Sequence, residues 1–292
     1  MLDFLQAVAD GVLFGATYAL IGIGFTLVFG VMHKLNLAYA AASIGGAYCG
    51  LLVLKVAAGA PAGVVFAAAF LAGGALGWLV YVTCFHFIPL SNPLAPLMST
   101  MGMLLLIDEV IVHATNGMPQ NYPAVFDDVM LRVGGISVRG DLLLVFGVAV
   151  LCMAALLALL YRTRLGLATR AVSQHAVAAQ LCGIRVARVN AMTFVITGLL
   201  GGLAGALIGA SVGALSPLLT APLTVKGLIV TVIGGLGSVP GAILAGLLVG
   251  GFENVFQQFR GVTERDLYVM LLLFAFLIFR PGGLFTGKDG RH

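Results

Sequence analysis

Side chains able to do chemistry are few in this chain and lie in a few places. A hydrolase or transferase would need a Ser/His set, paired acids or a metal cluster. The five histidines, His33, His86, His113, His175 and His292, are scattered without an HExxH pair, so no metal-ligand spacing is present. Gly282-x4-Gly287-Lys288-Asp289 comes near a phosphate-binding loop. It puts Asp289 where a Mg-binding hydroxyl belongs and leaves three residues for the helix that must follow. ATP hydrolysis is therefore not this chain's chemistry, and nothing in the sequence asks for a cofactor or metal. Asp108-Glu109 with His113 could relay protons, which would make the protein a proton-coupled transporter.

The densest chemical signal is positive charge. Arg162, Arg164, Arg170, Arg185 and Arg188 fall in one stretch that contains no acid. A net charge of +4 could suggest nucleic acid, but this clustering between two apolar runs is the pattern of a cytoplasmic loop flanked by membrane spans. Within it, the segment from Arg170 to Ile184 is rich in small residues. Gly166 is expected to end one helix and Gly183 another, with a short helix over 170–183 between them. Such a helix could lie in a partner's groove, or it could be a solvated loop helix.

The elements that position these groups follow from composition. Of 292 residues, 61% are hydrophobic and 9% charged, with a mean hydropathy of +1.11. Such a chain cannot bury its apolar surface in water, whereas each bilayer span needs about 20 mostly apolar residues. Continuous runs rich in Leu, Ala, Gly and Val, such as 142–160, indicate helices rather than a barrel's alternation. Apolar runs lie at 8–31, 38–57, 63–85, 94–113, 142–161, 190–213, 226–252 and 267–280. The fold class is an all-α polytopic bundle of eight to nine membrane segments in one transmembrane domain, 1–292. With the 162–188 loop cytoplasmic, the 115–141 loop is extracytoplasmic and the N-terminus outside. The tail after Arg280 is then inside only if the 226–252 run is re-entrant or crosses twice. The opening residues hold Asp3 and Asp10 but no Lys or Arg, so the first span is expected to stay in the mature protein. Cys49, Cys84, Cys152 and Cys182 read as packing residues.

Two segments break the helical pattern. Gly234-Gly235-Leu236-Gly237-Ser238-Val239-Pro240 interrupts one run, and Asn36, Tyr39 and Ser43 lead into Gly45-Gly46 in another. Paired interrupted segments point to a translocation path, because irregular backbone inside a membrane must line a cavity or protein. The candidate path is Asn36, Tyr39, Ser43, Gly234, Gly235, Gly237, Ser238 and Pro240. Their glycines could instead serve close packing. That operates elsewhere at Gly11/Gly15, Gly46/Gly50, Gly73/Gly77 and Gly246/Gly250, and along 198–210, where small residues recur every four positions.

These motifs together resemble the permease subunit of the branched-chain amino acid ABC transporter family. The matching residues are Tyr18-Ala19-Leu20 within Gly11 to Gly30, Gly45-Gly46-Ala47-Tyr48, Lys226-Gly227 with Gly234 to Ala242, and the closing Arg280-Pro281-Gly282-Gly283-Leu284-Phe285-Gly287. The 170–184 stretch is similar to the family's coupling segment, with an Arg-Ala start, an Ala nine residues on and a Gly-Ile end. The resemblance implies coupling to ATPases through Arg170, Ala171, Gln174, His175, Ala179, Gly183 and Ile184. It also implies a second related permease subunit, two cytoplasmic ATPase subunits and an extracytoplasmic substrate-binding protein, in a bacterial inner membrane. The chain departs from the family at Leu37-Ala38-Tyr39-Ala40-Ala41, where a His and an acid are usual, and at His175, where an acid or Asn is common. Branched-chain or related small amino acids are the implied cargo. Urea, a short amide or an aromatic carboxylate, and a passive channel, stand as alternatives.

Overall fold

A computed structural model describes residues 2–56, 61–88, 94–123, 130–133, 136–261, 264–280 and 282–285. Five helices precede the arginine loop: α1 (Leu2–Met32), α2 (Ala38–Val56), α3 (Ala62–Tyr81), α4 (Leu94–Thr115) and α5 (Gly140–Arg162). α3 runs on into a π-helical turn, Val82–His86. The short strands β1 (Gln120–Asn121), β2 (Met130–Val133) and β3 (Ile136–Arg139) lie between α4 and α5. Two short helices follow, α6 (Arg164–Gln174) and α7 (Ala176–Leu181), then the long α8 (Val186–Val212), β4 (Ala214–Leu215), a 3₁₀ turn at Pro217–Leu219, α9 (Thr220–Gly234), α10 (Val239–Arg260) and α11 (Arg265–Phe279). β1 pairs antiparallel with β4 and β2 with β3, both away from the arginine loop.

Eight of these helices are long and apolar enough to cross a membrane among the described residues. The apolar run expected at 226–252 is divided in two. Pro217–Gly234 and Val239–Phe259 are separate span-length helices, so the glycine break is a turn between them rather than an interruption midway. Both helices also extend beyond the apolar run, which matters for two charges described below. Because the break sits beside the α1 end at Gly30, α9 and α10 approach and leave it from the opposite end of the bundle.

Helix association in lipid gains nothing from hiding apolar surface, since lipid is equally apolar, and depends on close packing. The glycine repeats supply it. A Cβ on Gly11 or Gly15 of α1 would fall on the backbone of Gly246, Gly250 or Gly251 in α10, and one on Gly250 would fall back on Gly11 and Gly15. In the same way Gly73 and Gly77 of α3 face Gly198 and Gly202 of α8, while Gly205 faces the backbone of Ser43 in α2. These contacts place α1 and α8 at the centre: 78% and 72% of their most apolar windows are buried, against 22% for α4 and 28% for α5. The peripheral helices thus present their Leu, Met and Val side chains outward, for example Met98, Leu105 and Val110 of α4 and Leu151 of α5.

Gly202→Leu is expected to cost at least about 1–3 kcal/mol through overpacking against Ala69 and Gly73. Gly147→Ala in α5, where a Cβ would meet nothing within 4 Å, should leave stability unchanged or raised. Thermal unfolding of both variants in the same detergent checks the contrast.

Candidate functional site

Expected site residues fall in three places. The first is the arginine loop. Thr163 separates α5 from α6 in extended conformation, and its hydroxyl accepts from Gly166 N–H while donating to Leu159 O at 2.6 Å. Gly166 therefore sits in the first turn of α6, and the expectation that it ends a helix is wrong. It is glycine because α6 folds back onto the end of α5, with the carbonyls of Leu159 and Leu160 where a Cβ would be.

The single helix expected over 170–183 is also two helices. His175 is extended, at φ −156°, and closes α6 while opening α7. Its imidazole Nδ1 accepts from Ala178 N–H at 3.3 Å, an N-cap role. Gly183 then ends α7 in the left-handed region, at φ 85°. Ile184 N–H reaches Ala179 O at 3.1 Å and Gly183 N–H reaches Gln180 O at 3.0 Å, the pair of bonds that a left-handed glycine permits at a helix end. Ala179 is buried and Ala171 and Ile184 are half-buried, whereas Arg170, Gln174, His175 and Gly183 are exposed. Val177 and Leu181 of the same unit are also exposed, Leu181 at 86%. A rigid helix pair thus presents apolar side chains among arginines at one end of the bundle.

The second place is the α9–α10 turn. Gly235 and Gly237 have φ of 98° and 88°, which glycine adopts without steric cost. Ser238 caps α10 by accepting from Gly241 N–H at 3.2 Å, with Pro240 in the first turn. Gly234 lies against the backbone of Gly241 and Ala242. The chain's later segment closes over this turn, as Leu284 N–H donates to Ile233 O at 2.8 Å. Gly237, Ser238 and Pro240 share a cavity of 530 Å³ with Arg170, His33 and Tyr161. Arg170 stands over the Tyr161 ring at 5.3 Å. The structure therefore joins the arginine loop to the glycine turn through one cavity.

The third place, Asn36, Tyr39 and Ser43, lies apart from that cavity. All three are buried. Ser43 Oγ donates to Tyr39 O at 2.8 Å, and the Tyr39 ring meets Phe25 edge-on at 5.1 Å. Gly24 and Gly201 make room for that ring on either side. Asn36 Oδ1 and Tyr39 Oη have no hydrogen-bond partner among the described residues. Of the acidic pair in α4, Glu109 is exposed and sits 3.4 Å from His113, also exposed, on the helix surface. Asp108 Oδ1 is buried and unpartnered.

Sequence reasoning missed a buried ion network. Lys226 of α9 and Glu253 of α10 are 6% and 4% exposed. Lys226 Nζ donates to Glu253 Oε1 at 2.8 Å and to Tyr18 Oη at 3.2 Å, and Tyr18 Oη donates to the same Oε1 at 3.2 Å. Asp266 Oδ1 lies 3.1 Å from Lys226 and Arg265 Nε 3.4 Å from Glu253. The cluster ties α1, α9, α10 and α11 together near the end opposite the arginine loop. The signal was available: both charges lie at the edges of the 226–252 apolar run, and a run drawn from Thr220 to Arg260 would have enclosed them. No group of three or more potential metal ligands occurs among the described residues.

Residues 7–279 match the family model described as the permease component of the branched-chain amino acid transport system. The chain is 29% identical to the high-affinity branched-chain amino acid transport permease BraD of Pseudomonas aeruginosa, over 96% of this chain and 95% of that one. It is also 29% identical to LivH of Escherichia coli K12, covering 97% and 96% of the two chains. A probable LivH of the archaeon Methanocaldococcus jannaschii is 24% identical over 95% and 91%. Among solved structures, one described as an inward-facing metal-chelate type ABC transporter superposes with a TM-score of 0.50 at 18% identity, covering 94% of this chain and 85% of that one. This last likeness concerns the fold.

Lys226→Met should cost about 3–5 kcal/mol, because it takes the nearer and better-buried of two cations from the buried Glu253 carboxylate and leaves it only Arg265 Nε at 3.4 Å. Adding Glu253→Leu should restore most of that loss. Melting of both variants beside the wild type checks it: a double variant no more stable than the single one would show that the cost does not come from the stranded carboxylate.

Proposed function

The chain belongs to the family of permease components of branched-chain amino acid transport systems, and on that premise we propose that it forms half of the membrane pathway of an ATP-driven importer for branched-chain or related small amino acids. It is a multi-pass transport subunit of the bacterial inner membrane and not an enzyme, and as a component of an ABC transporter it works with ATPase partners. The finer assembly is our reading: a second related permease, two cytoplasmic ATPases and an extracytoplasmic binding protein that delivers the cargo.

The observation that carries the reading is the α6–α7 unit. A solvated loop has no reason to hold Val177 and Leu181 outward on a pair of helices capped at both ends. An ATPase groove would cover them and use the surrounding arginines for polar contacts at its rim. A passive channel or a proton-coupled carrier has no need of such a unit. Asp108 and Glu109 give little support to the proton-coupled alternative, because one of them points outward to His113 rather than along a relay.

Mechanism follows from connectivity. α6 packs on both α5 and α8, α7 packs on α8, and Arg170 shares a cavity with the α9–α10 turn. When ATP binding changes the separation of the partner grooves, displacement of α6–α7 passes to α8 at the bundle centre and to the turn that joins two spans. The candidate path residues Gly237, Ser238 and Pro240 lie on that route. Asn36, Tyr39 and Ser43 sit deeper, against α8 and α1, where Tyr39 and Asn36 keep unpaired polar atoms for a state in which the helices part. Moving such a two-state balance from 1:99 to 99:1 takes about 5.5 kcal/mol of differential contact energy, within reach of a docking surface driven by ATP.

Affinity purification of the full chain from membranes in mild detergent should recover an ATPase and a second permease. Leu181→Asp should abolish that recovery and L-leucine uptake while leaving membrane insertion intact. Full co-purification and uptake by the variant would remove α7 from the coupling surface.

A further inference from the structure

Near the end of the bundle opposite the arginine loop, α1, α5, α8, α10 and α11 enclose a cavity of 310 Å³, at the small end of the roughly 300–1,000 Å³ range of ligand sites. Its wall has a mixed chemistry that packing alone does not call for. Asp10 and Glu253 supply two carboxylates, and Arg139 and Arg265 supply two guanidiniums. Glu253 is 4% exposed. Lys226, Tyr18 and Arg265 all engage its Oε1, while Oε2 has no hydrogen-bond partner among the described residues, and neither has Asp10 Oδ1, although the Asp10 carboxylate also bonds Gln6. A buried carboxylate oxygen without a donor is costly, so a donor is expected to reach it in some functional state.

The guanidiniums have capacity to spare in the opposite sense. Arg265 spends Nε on Glu253 and Asp266 and Nη1 on Gln257, and Arg139 spends Nη2 on Asp141 and also faces Asp10, which leaves N–H groups of both guanidiniums over. Each guanidinium carries five N–H donors and suits a planar carboxylate. Phe14, Leu142 and Val212 line the remainder of the wall with apolar surface. We infer that this cavity is a transit site within the permease for a zwitterionic aliphatic amino acid. The α-ammonium goes to Glu253 Oε2 and Asp10 Oδ1, the α-carboxylate to Arg139 and Arg265, and the side chain to Phe14, Leu142 and Val212.

Balanced charge selects the ligand class. The two carboxylates and two guanidiniums of the wall balance one another, so a simple carboxylate or a simple amine would bring an uncompensated charge into the cavity, whereas a zwitterion brings none and meets both signs. Urea carries no charge and would make no ionic contact with either pair. The site also has an outlet for the binding event, because the carboxylate that takes the ammonium is the one that holds Lys226 of α9. An ammonium at Oε2 competes with Lys226 for the same negative charge and loosens the tie between α9 and α10, the two helices joined by the glycine turn.

This inference rests on the importer reading, and its test separates the two. The complete complex, reconstituted in liposomes with saturating binding protein, is assayed for L-leucine uptake and for ATP hydrolysis stimulated by the loaded binding protein. Asp10→Asn and Arg139→Gln should lower leucine moved per ATP by at least tenfold while stimulated hydrolysis persists. Val212→Phe, at a position 59% exposed and tolerant of bulk, should do the same by filling the cavity, and it serves where the charge variants fail to assemble. Wild-type stoichiometry in the assembled variants overturns the transit site and leaves the importer standing. A wild-type complex that hydrolyses ATP without moving leucine overturns the importer reading and the site with it.

Discussion

Hydrocarbon offers no hydrogen bonds, so every polar group that enters it must find a partner inside the protein. That constraint organises the molecule at each level. Backbone groups are consumed by helices, and the threonines and serines within spans turn back on their own helix, as Thr193 does to Val189 O and Thr224 to Thr220 O. Charges are admitted where several elements can share them. Lys226, Glu253, Tyr18, Arg265 and Asp266 come from four helices and meet in one network, so the charges that would be most expensive singly become the joint that fixes α1, α9, α10 and α11 relative to one another. Among the buried polar atoms left over, those on Asp10, Asn36, Tyr39 and Glu253 mark where the closed arrangement of the helices is incomplete.

Much of the fold was legible in the sequence because lipid imposes a simple length rule. Seven of the eight apolar runs appear as helices near their expected places, as do the arginine loop and the glycine turn, while the run at 226–252 divides into two spans. The glycine repeats found their partners as well: Gly11/Gly15 with Gly246/Gly250 and Gly73/Gly77 with Gly198/Gly202. What sequence alone could not give was pairing. Small residues at four-residue spacing say that a face is flat, but nothing in one chain says which other flat face it meets.

The misreadings have the same origin. Local propensity makes Gly166 a helix end and leaves 170–183 as one helix, because nothing in its residue types marks a break at His175. In the structure a crossing of α6 over α5 decides Gly166, and a side-chain cap decides His175. The ion network was missed because an apolar window stops at the first charge it meets, and Lys226 and Glu253 set the limits of the run they belong to. A charge at the edge of a hydrophobic run reads as an interface residue. It becomes a buried one only when the helix continues past it, which depends on segments such as 220–225, with its Pro222, and 254–260, with its Asn254, Gln257 and Gln258, folding as helix too.

The apposed glycines also limit how the helices can move. In the α1–α10 and α3–α8 pairs, backbone meets backbone at intervals of four residues, just over one helical turn, or about 6 Å of rise. A slide of half a turn would drive the side chains between those glycines into the facing helix. Each pair therefore behaves as a notched coupling, free to pivot about its contact and resistant to shear, so the moving parts of this permease are helix pairs rather than single helices.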